Sequence, residues 1–167
     1  MTHIASDERR LLRTMYVGMA LTALLMLAPL VDVLTADSIS SHVRDAYPQW
    51  PARKVHQDRD AIVAWLALVG LLGLGAWYWA IRSVRRHSGR MRLVVTTAFA
   101  MGLIAVMTNL SVGGDGYQQV VPLLYGLLWL IPAAVGLVAV IGAWRRPTHD
   151  GATYGDVMRP RSEANTR

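Results

Sequence analysis

AIVAWLALVGLLGLGAWYWAI, residues 61–81, runs for 21 residues without a charged side chain, and RSVRRHSGRMR, residues 82–92, follows it with five arginines and no acid. A helix needs about 20 apolar residues to cross a hydrocarbon core of roughly 30 Å. The first stretch meets that length and the second closes it abruptly. Three further runs behave alike: residues 14–31, 93–114 and 120–144 each lack charge. Their recurrence predicts an all-α chain, a four-helix transmembrane bundle with spans at about 12–34, 61–81, 93–112 and 120–144.

Composition supports this. The 167-residue chain is 53% hydrophobic and only 17% charged, where soluble domains carry about a quarter charged residues. The run before Asp32 follows Arg9, Arg10 and Arg13 in the manner of a secretory leader. It is longer than the usual apolar region of about 7–15 residues, however, and Leu34-Thr35-Ala36 is a poor cleavage site, so an uncleaved first span is expected. Cysteine is absent, which excludes disulfides, thiol redox chemistry and thiolate metal ligation.

The arginines set an orientation. Residues 1–11 and Arg13, the 82–92 connection and the tail at 145–167 together hold 13 of the 17 basic residues. The segment 36–60 holds Arg44, Arg53, Lys54 and Arg59, offset by Asp37, Asp45, Asp58 and Asp60. Short Lys/Arg-rich loops remain cytoplasmic, so both termini are expected inside and segment 36–60 outside. The sequence pI of about 10.3 then reflects membrane orientation, and no nucleic-acid partner is expected.

Side-chain spacing suggests how the helices meet. Met15, Met19, Thr22 and Met26 share one face of span one. Thioethers suit Cu(I), but without cysteine or an intramembrane histidine this face reads as adaptable packing. Gly73, Ala76 and Ala80 form a small face on span two, while Ala98, Gly102, Ala105 and Asn109 form a narrow stripe on span three. Small residues permit close helix approach, and an asparagine among them can bond across. The methionine face is the expected filling for that stripe. Trp77-Tyr78-Trp79 before Arg82 has the aromatic-then-basic order of an interface.

Proline and the loops complete the pattern. Pro29 is expected to kink span one near its outer end. Pro132 removes a donor in the middle of span four and frees a carbonyl around Leu128. Between residues 36 and 60, a short helix capped by Asp37 or Ser38 should end before Pro48, with Ile39, Val43 and Tyr47 facing the outer membrane surface. The connection SVGGDGYQQ lacks the GK[ST] ending of a phosphate loop. The first ten residues, MTHIASDERR, should fray, and the tail 145–167 has the composition of a disordered segment.

Chemistry is sparsely encoded. An ion-coupled transporter ordinarily keeps an ionisable residue inside its bundle, and Asp32, at the outer end of span one, is the sole candidate. Asp32, Asn109 and Pro132 are therefore the residues that could line a solute path, or else serve helix packing. His42, Asp45, His56, Asp58 and Asp60 lack HExxH spacing, and Ser38, Ser40 and Ser41 lack a nucleophile-elbow context. No catalytic, cofactor or metal residue is assigned.

HVRDAYPQW after span one, WYWAIRSVRR closing span two and PLLYGLLWLIPAAVGLVAVIGAWRR as span four resemble uncharacterised small four-pass bacterial integral membrane proteins. The resemblance implies a multi-pass protein of a bacterial inner or plasma membrane and carries no activity, cofactor or site residue with it. Sixteen arginines against one lysine fit a GC-rich bacterial genome. The expected protein is a non-enzymatic accessory, assembly or lipid-interacting protein. Its partners are the lipid bilayer and, through helix faces, further copies or a larger membrane complex. The alternative is a small transporter or channel component.

Overall fold

The computed structural model describes residues 2–86, 88–111 and 123–145, with side chains from Asp7 onward. Among the described residues there are helices and turns only. The helices are α1 (Thr2–Leu34), α2 (Ser38–Ala46), α3 (Ala52–Arg85), α4 (Met91–Ser111), α5 (Leu123–Leu128) and α6 (Leu130–Trp144). Among the described residues, four segments are long and apolar enough to span a bilayer: Asp7–Leu34, Ala52–Arg85, Met91–Ser111 and Leu123–Trp144.

These segments pack as a four-sided ring. The α1–α3 side is the most extensive, α1–α6 and α4–α6 follow, and α3–α4 is the loosest. Small residues explain the tight side. A Cβ on Gly18 would lie less than 3.0 Å from three carbons of the Trp77 ring, Gly70 leaves room for Met26, and Gly73 faces Thr22. The methionine face of α1 thus packs on α3 and its neighbours, not into the Ala98/Gly102 stripe of α4. Met15 is fully buried with Ala80, Val84, Val95 and Ala139, where small alanines on α3 and α6 leave room for its bulk.

Outside the ring, leucines and tryptophans are bare. Leu24, Leu71, Trp79, Leu124 and Val138 are all more than half exposed. An apolar surface that runs round the molecule cannot face water stably and requires hydrocarbon. The architecture is that of a multi-pass membrane protein.

Helix ends depart from the hydropathy reading. The helix of span one starts at Thr2 and that of span two at Ala52, because polar residues such as those of 52–60 form helix as readily as apolar ones. Hydropathy marks the hydrocarbon-crossing part alone. Pro51, extended at φ −65°, precedes the first turn of α3, and Val55, Ile62 and Leu66 then bury one stripe against α2. Segment 36–60 is accordingly a helical cap. Ile39 and Val43 are buried against that stripe and Tyr125, so they seal the bundle end, while Tyr47 turns away to stack on Trp50 at 3.9 Å. The expected connection at 112–119, residues 120–122 of span four and the tail from residue 146 lie outside the described residues.

Pro29 is buried within a continuous α1. Pro132 acts as the sequence implies. It has no N–H for the carbonyl of Leu128, and the helix is interrupted at Trp129, separating α5 from α6. Trp129 N–H still reaches the Tyr125 carbonyl at 3.4 Å, and Ala133 N–H reaches that of Trp129 at 3.4 Å. The interruption is a local loosening of the helix.

Candidate functional site

The loose α3–α4 side opens into a cleft of about 370 Å³ between α3, α4 and α6. Its walls include Val69, Ala76, Phe99, Ala105, Trp129 and Ala133. Gly102 stands in it with nothing within 4 Å of a Cβ position. Ala98, Gly102 and Ala105 of the stripe therefore line the cleft, while Asn109 at its end bonds across to α3 as expected. At the mouth, Leu72 and Met101 are 67% exposed and Ile104 66%, so the cleft opens sideways to the lipid.

Among the described residues no charged side chain contributes to the lining, and four of its polar side chains are bonded within the protein. Trp77 Nε1–H donates to Thr22 Oγ1 at 3.1 Å, and that hydroxyl donates to the Gly18 carbonyl at 2.9 Å. Trp65 Nε1–H donates to Asn109 Oδ1 at 2.8 Å, and Thr108 Oγ1 donates to the Ile104 carbonyl at 3.0 Å. Such walls offer dispersion contacts and little directed polarity. An occupant would gain by burying hydrocarbon.

The three residues singled out from the sequence stand in different settings. Asp32 binds the cap: its carboxylate accepts from Ser38 Oγ at 2.7 Å and from Ile39 N–H at 3.3 Å. Its carbonyl accepts the N–H groups of Thr35 and Asp37 at 3.1 and 2.7 Å. Tyr125 brings its hydroxyl to Asp32 and Ser38. The helix-capping role expected of Asp37 or Ser38 thus falls to Asp32, six residues before Ser38. Asp37 makes no side-chain cap bond and adopts the left-handed region, φ 47°, which aspartate tolerates. Its carboxylate instead accepts from Ser40 Oγ at 2.7 Å and meets Arg59 at 3.5 Å.

Asn109 is 2% exposed. Its Oδ1 is taken by Trp65, while its Nδ2 is buried without an acceptor among the described residues. Pro132 lines the cleft itself. Among the described residues Asp32 and Asn109 share no bonding partner. His42, Asp45, His56, Asp58 and Asp60 all belong to the cap region, and no three His, Asp or Glu side chains converge as metal ligands among the described residues.

No family model matches this sequence, and neither a curated protein nor a solved structure matches it. Trp65, Trp77, Phe99 and Trp129 around the cleft are what sequence reading did not collect. Trp65 and Trp77 come from α3, Phe99 from α4 and Trp129 from the break between α5 and α6, and only helix pairing puts them round one space.

Proposed function

We propose that this chain is a non-enzymatic, lipid-interacting membrane protein that holds a lipid hydrocarbon chain in the cleft between α3, α4 and α6. The supporting observation is the opening: an uncharged, apolar cleft of about 370 Å³ gives onto the bilayer at the loosest helix seam. Ligand pockets commonly measure 300–1,000 Å³. The bilayer supplies hydrocarbon at this mouth without any entry path through water. The protein sits in a bacterial inner or plasma membrane with both termini cytoplasmic, the side on which 13 of 17 basic residues stand.

The test is lipid analysis of the purified protein after exhaustive delipidation. Wild type should retain lipid, and Gly102→Leu, which grows a side chain into the cleft mouth, should release it while remaining folded. Equal retention by both would overturn the proposal. A stoichiometric protein partner in the same preparation would instead favour an accessory subunit. Orientation has its own check, simplified by the absence of native cysteine. Gln57→Cys should react with an impermeant thiol reagent on intact cells and Gly89→Cys should not.

A small transporter or channel component is the second reading, and the unbonded Nδ2 of Asn109 beside the cleft-lining Trp65 favours it. A solute path there would lose flux with Asn109→Ala. Asp32→Asn, by its position under the cap, would lose it only if protons or ions enter through that end.

A further inference from the structure

A second recess, of about 260 Å³, lies on the opposite face of α3, where its last turns pass α1. Its floor is apolar, formed by Ile81 and Met19, and its rim is Tyr16 and Tyr78 with Arg82, Arg85 and Arg86. Ile81 is buried, whereas the three arginines are exposed. Arg85 lies over the Tyr16 ring at 5.7 Å, which joins the two helices and holds one guanidinium in place. Among the described residues no acid lines the recess, and none pairs with Arg82, Arg85 or Arg86.

Depth and chemistry agree. Trp77, Tyr78 and Trp79 form an aromatic band of the kind that sits at headgroup level. Arg82 to Arg86 follow about 6–12 Å further along the axis at 1.5 Å per residue. That is where lipid phosphates lie. Guanidinium groups bind phosphate as planar forks, and the tyrosine hydroxyls can donate beside them. An apolar floor below a cationic rim matches the join between a headgroup and its acyl chains, and it matches a free ion poorly.

We propose that this recess is a binding site for an anionic phospholipid, which places its phosphate among Arg82, Arg85 and Arg86 and the base of its acyl chains on Met19 and Ile81. The site is separate from the α3–α4–α6 cleft and does not depend on it. A basic residue close to the surface contributes about a factor of five in affinity for anionic lipid. Removing two should lower affinity roughly thirtyfold.

The experiment is native mass spectrometry of the whole protein offered equal amounts of phosphatidylglycerol and phosphatidylcholine. Wild type should retain phosphatidylglycerol preferentially, and Arg82→Gln/Arg85→Gln should lose the preference. Arg10→Gln/Arg90→Gln, which removes the same charge from exposed positions on the same side, should keep it. Arg85→Lys should fall between, because the charge persists and the fork does not. Equal losses in both double variants would show diffuse attraction and overturn the site. Millimolar inorganic phosphate should not displace the lipid. If it does so completely, the ligand is the free anion and the lipid assignment fails.

Discussion

Replacing Gly18 with alanine should destabilise the bundle even though alanine is the better helix former. The added methyl would fall less than 3.0 Å from three carbons of Trp77, and the indole is rigid and held by its bond to Thr22. Alanine gains about 1 kcal/mol of helix propensity over glycine. Against this, overpacking costs about 1–3 kcal/mol, and losing the Trp77–Thr22 bond costs about 0.6 kcal/mol. The balance is a loss of roughly 0.6–2.6 kcal/mol. The matched control is Gly75→Ala on α3, where a Cβ meets nothing within 4 Å; it should be neutral or slightly stabilising. Equilibrium unfolding in mixed micelles measures both. Adding Trp77→Leu to Gly18→Ala should recover part of the loss, since the clash disappears with the ring. If Gly18→Ala proves as harmless as Gly75→Ala, the close α1–α3 contact is wrong.

Asn109→Ala should cost about 0.6–2 kcal/mol in the same assay, because Trp65 loses its acceptor across the α3–α4 seam; indole fluorescence should report the loosening. Asp32→Ala should free α2 from the end of α1, with the spans intact, and appear as faster proteolysis between residues 35 and 51. Acid should act on the same cap. The Ser40 hydroxyl bond holds the Asp37 carboxyl below its ordinary range; burial opposes this, and Arg59 and His56 add to the lowering. A carboxylate lowered on folding contributes stability that is fully present above its unfolded value of about 3.9 and lost as pH falls through the folded one. Fluorescence of Trp50, which stacks on Tyr47 beside the cap, should therefore be flat from neutral pH to about pH 5 and change below about pH 4. Asp37→Asn should remove that acid step.

What the sequence by itself determined is everything that follows from one-dimensional transfer energetics. Twenty uncharged residues in a row have one favourable surrounding, so residues 61–81 and their three counterparts could be read as spans without knowing their neighbours. Pro132 could be read too, because the missing N–H interrupts the helix wherever it packs. Tertiary structure decided what each face meets. Gly18, Gly70 and Gly73 accept the side chains of Trp77, Met26 and Thr22 across α1–α3, so the methionines are used there and the Ala98/Gly102 stripe is left over a cleft. Periodicity gives an angle around one helix but carries no information on which helix stands opposite. Likewise Asp32 was legible only as an ionisable residue at the outer end of span one, and only the fold of α2 back over the end of α1 turned it into the cap for Ile39 and Ser38. The arginine-rich close of α3 was legible as charge. Its recess exists because α1 sets Tyr16 and Met19 beside it, a contact fixed by packing between segments about 60 residues apart in the chain.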